Sequence, residues 1–340
     1  MKKFSTLIKI AVSAMLIVIL ALSMDIKKIA GAIGVFRLPY SIPALFLIAV
    51  AVLISAFKWQ VLLKAQGIKI PVSKLFKYYT AGFFFNNFLP SSIGCDGIRV
   101  MLLKNELASA GPPAQPSLAA YAGVASSVVA ERILAMATLG LLGLVGALFA
   151  SAPSRVAMIT LACVCAAGFF SMAVQFTGFT PKFIAQKETK LATIWKSFAS
   201  SSAELRKKPF HILICLAESI LFQMFVAFAQ QAIILGLGLP ALALGDLFYV
   251  SAGASVLAMI PLGVNGYGFR EGGFIYLLEP LGYEGSGAFA ISLLFALFVS
   301  VYSLLGAWFW VRAKKDKGEN TPTPVSFGTG RAATGASVHG

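Results

Sequence analysis

Long apolar stretches separated by short polar segments dominate the chain. A helix needs about 20 mostly apolar residues to cross the hydrocarbon core of a bilayer, and six stretches reach that length. They lie at about 5–24, 39–63, 118–149, 156–178, 210–237 and 286–311. The pattern therefore predicts an all-α integral membrane protein with about six transmembrane helices. Because no convincing small-residue cleavage site follows the first stretch, we expect it to stay as a span rather than act as a signal peptide.

Two further apolar stretches, at about 75–107 and 246–280, are interrupted by Pro and Gly and repeat one another. At one constant offset, Tyr, Ala, Gly, Pro, Gly and Arg recur in the same order, and each copy ends on an arginine, Arg99 or Arg270. Each stretch is long enough for two half-helices of about 12–15 residues, which are too short to cross the membrane separately. Two re-entrant helical hairpins are therefore predicted, with ordinary helices kinked at proline as the alternative.

The distribution of basic residues favours hairpins that return to the side they entered. With both termini in the cytoplasm, most of the 28 Lys and Arg then lie on the cytoplasmic side, including seven in the linker 181–209. The hairpins open on opposite faces in this arrangement, so the halves 39–149 and 210–311 form an inverted repeat. We expect one polytopic membrane domain over residues 1–312 and a disordered cytoplasmic tail over 313–340.

The amino-acid composition also indicates a membrane protein and restricts the possible binding partners. The chain is 58% hydrophobic and 12% charged, whereas soluble domains carry roughly 25% charged residues. Its net charge of +15 comes from bases in loops and tails, so we expect anionic membrane lipids as partners and no nucleic acid. With two histidines and four cysteines that show no metal-ligand spacing, neither a cofactor nor a metal is predicted.

The hairpin tips predict an anion site within the membrane. Exposed backbone at membrane depth is tolerated only around protein or water, and a helix N-terminus with an adjacent arginine suits phosphate. The candidate substrate-binding residues are Asn87, Pro90, Asp96, Arg99, Glu131, Arg132, Asn265, Arg270 and Glu271. Helix capping by Asp96 and Asn265, and pairing of each arginine with a nearby acid, are the structural alternatives.

Charged residues inside the predicted spans need partners as well. Glu131 and Arg132 lie near the middle of a span, where either charge left in lipid costs about 2.5–3.5 kcal/mol. We therefore expect both to face the protein interior and one of them to pair with a hairpin residue. Glu218 is a weaker candidate for the same cavity. Lys58 and Trp59 are interpreted as interfacial residues near the end of their span.

Three motifs carry a resemblance to a known family. Residues 88–99 (FLPSSIGCDGIR), the pair Glu131-Arg132, and residues 261–272 (PLGVNGYGFREG) resemble the signatures of the lysylphosphatidylglycerol synthase transmembrane family, which is also called flippase-like. Cys95 departs from the pattern, because a second glycine is expected there. The resemblance implies a multi-pass protein of the bacterial or archaeal cytoplasmic membrane with re-entrant helices and a role in lipid translocation.

The resemblance leaves several functions open. In two-domain members aminoacyl transfer belongs to a separate soluble domain that this sequence does not show, so we expect a transporter rather than an enzyme. The first hypothesis is a translocase for a phospholipid or a polyprenyl-phosphate type of lipid. The alternatives are a membrane-embedded transferase or lipid-supplying subunit in aminoacyl-phospholipid, polyprenyl-glycan or hopanoid synthesis, and a non-catalytic assembly factor. A homo-oligomer or a lipid-synthesis enzyme is the expected protein partner.

Overall fold

The computed structural model describes residues 30–31, 33–86, 96–103, 118–178, 180, 189–260 and 266–319. The predicted span 5–24 and the candidate residues Asn87, Pro90 and Asn265 lie outside these described residues. The helices are α1 (Ser41–Ala65), α2 (Val72–Asn86), α3 (Leu118–Leu148), α4 (Arg155–Thr177), α5 (Lys190–Arg206), α6 (Pro209–Gly236), α7 (Leu244–Ala258), α8 (Phe269–Leu278) and α9 (Gly285–Glu319). Residues 96–103 are also helical, and short 3-10 turns precede α1 and follow α8.

Among the described residues, five helices are long and apolar enough to cross a membrane. They cover Leu38–Ala65, Tyr121–Leu148, Arg155–Thr177, Pro209–Gly236 and Gly285–Arg312. They coincide with five of the predicted spans, and the all-α membrane class is therefore confirmed. The last helix continues past residue 312 to Glu319, into the stretch assigned to the tail, because its Ala, Lys and Glu residues favour helix.

Glycines set the close approach between several helices. A Cβ on Gly140 would lie 2.5 Å from the backbone nitrogen of Cys165, and one on Gly168 would lie 2.5 Å from that of Ala137. These two contacts hold α3 and α4 side by side in antiparallel directions. Small residues serve this purpose in membranes because lipid supplies no hydrophobic force that pushes helices together. Close packing of the helices must therefore stabilise their association.

The second interrupted segment folds into two short helices that lie against each other. A Cβ on Gly253 of α7 would meet Leu277 of α8, and a Cβ on Gly273 would meet Leu257, so the two helices run in opposite directions. At 1.5 Å per residue α7 is about 22 Å long and α8 about 15 Å, less than the roughly 30 Å of a hydrocarbon core. The turn between them includes Gly268, whose φ of 89° suits glycine.

The first interrupted segment contains α2 and the helical residues 96–103. Arg99 connects them, because its guanidinium lies 4.1 Å from the ring centre of Tyr79 on α2. The long helix α9 packs closely against α2. A Cβ on Gly306 would overlap the carbonyl oxygen of Thr80. The C-terminal half of the chain thus supports the segment that carries Arg99.

Candidate functional site

Arg99 is the centre of a buried ionic cluster. Its side chain is fully buried, and its Nη1 donates a hydrogen bond of 3.0 Å to Oε2 of Glu131 on α3. Its Nη2 donates to Oδ1 of Asp96, one turn earlier on the same helical face. The cluster therefore joins the first interrupted segment to α3 by charge pairing.

Two aromatic rings enclose the same guanidinium. Arg99 lies 4.1 Å from the ring centre of Tyr79 on α2 and 4.9 Å from that of Trp59 on α1. The Tyr79 hydroxyl donates to Oε1 of Glu131, while Trp59 Nε1 donates to Ser127 Oγ over 3.1 Å. The rings replace part of the hydration that the cation loses on burial, through their negative faces.

Arg132 completes the cluster from a more accessible position. Its Nε donates to Asp96 Oδ2 and its Nη2 to Oδ1, both over 2.8 Å, in the bidentate geometry that strengthens such pairs. Its side chain is 45% exposed, whereas Glu131 is 2% exposed. The expectation that both residues face the interior is therefore wrong for Arg132, because neighbours on a helix point about 100° apart.

The cluster balances its own charge. The guanidiniums of Arg99 and Arg132 face the carboxylates of Asp96 and Glu131, and Asp96 contacts both cations. All four carboxylate oxygens accept hydrogen bonds. Glu131 and Arg132 thus both pair with a residue of the interrupted segment, where the sequence had indicated one such pair.

Lys58 and Trp59 lie inside the protein, which corrects their assignment to the membrane interface. Lys58 is 2% exposed and Trp59 fully buried, and the Lys58 ammonium donates to Ser219 Oγ on α6 over 3.2 Å. Since α1 continues to Ala65, Lys58 lies about 10 Å from the helix end and faces α6 rather than the surface. Beside Ser219, Glu218 places Oε2 in a buried position without a hydrogen-bond partner among the described residues.

Arg270 lies in the first turn of α8, at the position that matches Arg99, and its side chain is 12% exposed. Its Nη2 donates to Oε1 of the adjacent Glu271, and its Nε donates to Ser292 Oγ on α9, both over 3.2 Å. Glu271 also accepts from Ser292 and, through Oε2, from the backbone N–H of Gly268. Glu271 therefore caps α8 while it balances the charge of Arg270.

The two halves thus hold matching arginines by different means. In the first half one acid is local, Asp96, and a second comes from another helix, Glu131 of α3, whereas in the second half the acid is the next residue in the chain. Sequence reasoning missed Tyr79, Trp59 and Ser292, although the recurrence of tyrosine in the repeat pointed towards this region. Within the described part of the chain, no three His, Cys, Asp or Glu side chains come together as metal ligands.

Comparison with known proteins places the chain in a family. Neither the curated proteins nor the solved structures contain a match to this chain. The family model described as lysylphosphatidylglycerol synthase TM region matches residues 6–306, which include both interrupted segments and every helix of the ionic cluster. The chain therefore belongs to the family of the lysylphosphatidylglycerol synthase transmembrane region.

Proposed function

We propose that the protein is a lipid translocase of the cytoplasmic membrane, which moves a lipid with an anionic or phospho headgroup between the leaflets. The observation that carries the proposal is the pair of matching guanidiniums, Arg99 and Arg270, each in a short helix of a repeated, interrupted segment. Matched interruptions of this kind mark the substrate sites of transporters built from inverted repeats. In this proposal both segments are re-entrant and open on opposite faces of the membrane.

Arg132 is the group that meets the headgroup first. Its side chain is the most exposed member of the ionic cluster, and Asp96 accepts from its Nε and Nη2. A guanidinium has five N–H donors, so Arg132 keeps donors to offer a phosphate while its pair with Asp96 persists. The positive charge of the buried Arg99 offsets the carboxylates of Asp96 and Glu131, so the surroundings of Arg132 do not become negatively charged.

Pairing of the acids with cations and other donors supports transport over group transfer. A carboxylate that is paired with a guanidinium is stabilised as the anion and is therefore a weaker general base. Arg99, Arg132 and Tyr79 occupy the carboxylates of Asp96 and Glu131. Arg270, Ser292 and the N–H of Gly268 occupy Glu271. We therefore place these acids in positioning roles.

The test uses the purified full chain in proteoliposomes that contain fluorescent phosphatidylglycerol or a fluorescent polyprenyl phosphate. Arg132→Gln removes the exposed guanidinium but leaves Asp96 paired with Arg99, so the variant is expected to fold. Loss of a hydrogen bond to a charged group costs about 1.5–3 kcal/mol, which corresponds to a roughly 10- to 160-fold slower leaflet redistribution. Arg155→Gln, an exposed arginine at the start of α4, is the matched control and should keep the wild-type rate.

The same samples separate the alternatives. Redistribution without a new lipid species supports the translocase, whereas a new covalent product on chromatography supports a transferase. If Arg132→Gln and Arg155→Gln move lipid equally fast, the role of the ionic cluster is refuted. If the wild type neither moves nor modifies the lipids, the assembly-factor hypothesis replaces the proposal.

A further inference from the structure

A cavity lies between α3, α4 and α5, and its α3 wall, Val129 and Ile133, flanks the pair Glu131-Arg132 along the chain. It has a volume of about 400 Å³ and is lined mainly by apolar side chains, among them Val129, Phe170, Val174, Trp195 and Phe198. Its size falls in the range of small-molecule and cofactor sites, roughly 300–1,000 Å³. We refer to this cavity as the α5 groove.

Two buried polar atoms without partners border the α5 groove. Ser202 is 1% exposed and Gln175 is 9% exposed, and both line the cavity. Neither Ser202 Oγ nor Gln175 Oε1 has a hydrogen-bond partner among the described residues. Gln175 is held in place by its other amide atom, since Nε2 donates to the carbonyl of Ser126 over 3.1 Å. Because a buried polar atom left unpaired costs about 1–3 kcal/mol, these two atoms indicate a ligand.

The α5 groove has a polar end and an apolar end. Gln175 lies beside the C-terminus of α4 at Thr177, whereas Phe170 lies further inside the same helix. From Phe170 to Gly178, which also lines the groove, the helix rises about 12 Å. A lipid would therefore place its chain towards Phe170 and its polar region towards Gln175 and Ser202.

The positive charge of α5 favours an anionic group at the polar end of the groove. The helix contains three bases and one acid, and that acid, Glu204, is paired with Lys207 over 2.6 Å. Lys196 is adjacent to the groove residue Trp195, and Arg206 lies one turn beyond Ser202. Basic residues on an interfacial helix attract anionic headgroups, at about 1 kcal/mol for each base near the surface.

We infer that the α5 groove binds an anionic phospholipid whose headgroup carries free hydroxyls. The apolar wall takes one acyl chain, and the bases of α5 attract the phosphate. Gln175 Oε1 can only accept a hydrogen bond, and ester and phosphodiester oxygens cannot donate one, so the donor must be a headgroup hydroxyl or ammonium. The excess of bases on α5 disfavours an ammonium, which leaves a hydroxyl. Ser202 can donate to the same hydroxyl or accept from it. The lining of the groove includes no residue of the ionic cluster, so lipid binding there can be measured separately from translocation.

The experiment uses Trp195 as the reporter of occupancy. Full-length wild type and Trp195→Phe are placed in phosphatidylcholine nanodiscs with increasing fractions of phosphatidylglycerol brominated on its acyl chains, and their difference in emission isolates Trp195. Bromine quenches an indole only on contact, so an occupied groove should remove most of the Trp195 emission at a low fraction of brominated lipid. Brominated phosphatidylcholine should quench Trp195 only in proportion to its mole fraction.

Ser202→Ala tests the polar end, and Ser200→Ala, whose exposed hydroxyl bonds within its own helix, is the matched control. We expect Ser202→Ala to weaken the preference for brominated phosphatidylglycerol and Ser200→Ala to keep it in full. Since Ser202 makes no hydrogen bond to the described residues, its loss should leave the fold intact. Equal quenching by the two brominated lipids in the wild type, or an unchanged preference in Ser202→Ala, would overturn the inference.

Discussion

Replacing Glu131 by Gln removes one of the two negative charges that balance the buried ionic cluster. The two side chains of the Arg99–Glu131 pair are 0% and 3% exposed, so water cannot compensate for the lost charge. After the substitution, Arg99 and Arg132 must share Asp96. We expect the substitution to lower the free energy of unfolding.

The structure allows the size of this effect to be estimated. Removing one partner of a buried pair costs about 3–5 kcal/mol when the other charge is left alone. Because Arg99 keeps its bond to Asp96, the cost of Glu131→Gln should lie at the lower end of this range, at about 3 kcal/mol. Arg99→Gln leaves Glu131 with only the Tyr79 hydroxyl among these contacts and should cost at least as much.

The double variant Arg99→Gln/Glu131→Gln restores neutrality and keeps the pair of Asp96 with Arg132. The double variant should therefore lose less free energy of unfolding than the two single variants lose together, by about 1–3 kcal/mol. Equilibrium unfolding in mixed micelles, followed by tryptophan emission, measures all three variants. Glu204→Gln, which breaks an exposed ion pair with Lys207, is the control and should cost less than about 1 kcal/mol. Additive losses, or a loss for Glu131→Gln no larger than that of the control, would refute the electrostatic reasoning.

Two further predictions concern packing and burial. In Gly306→Val the new Cβ would overlap the carbonyl of Thr80, so α2 and α9 must separate. We expect this to lower the free energy of unfolding by about 1–3 kcal/mol. Gly272→Ala, with nothing within 4 Å of its Cβ, is the control and should be tolerated in the same unfolding assay. Lys58→Met removes a buried cation that donates to Ser219 and should leave the unfolding midpoint unchanged or higher, because an apolar side chain of similar length avoids the desolvation penalty. A loss as large as that of Glu131→Gln would instead make Lys58 part of the ionic cluster.

Much of the candidate site follows from the chain itself. Arg99 and Arg270 fall at matching points of a repeated pattern, and Glu131-Arg132 stands out because charges inside a span are costly. The acid partner of Arg270 is its neighbour Glu271, which sequence alone suggests. For these residues, local spacing or an exceptional charge supplies the signal.

Of the partners of Arg99, Asp96 follows from its spacing of three residues, whereas the rings of Tyr79 and Trp59 could not be predicted in the same way. Tyr79, Trp59 and Glu131 come from three different helices and meet only after α1, α2 and α3 have packed. The position of Lys58 was misjudged for a related reason. Its distance from the helix end was visible in the sequence, but the face of α1 on which α6 packs was not.

Sequence by itself determined the class of protein, the extent of its apolar helices and the repeat that carries the two arginines. Each of these depends on the length of apolar runs or on residue spacing along the chain. Only the tertiary structure decided which side of each helix is buried, and hence which side chains surround Arg99 and which line the α5 groove. The physical reason is that lipid is as apolar as a protein interior, so a membrane helix need not show the amphipathic pattern that marks the buried face of a soluble one.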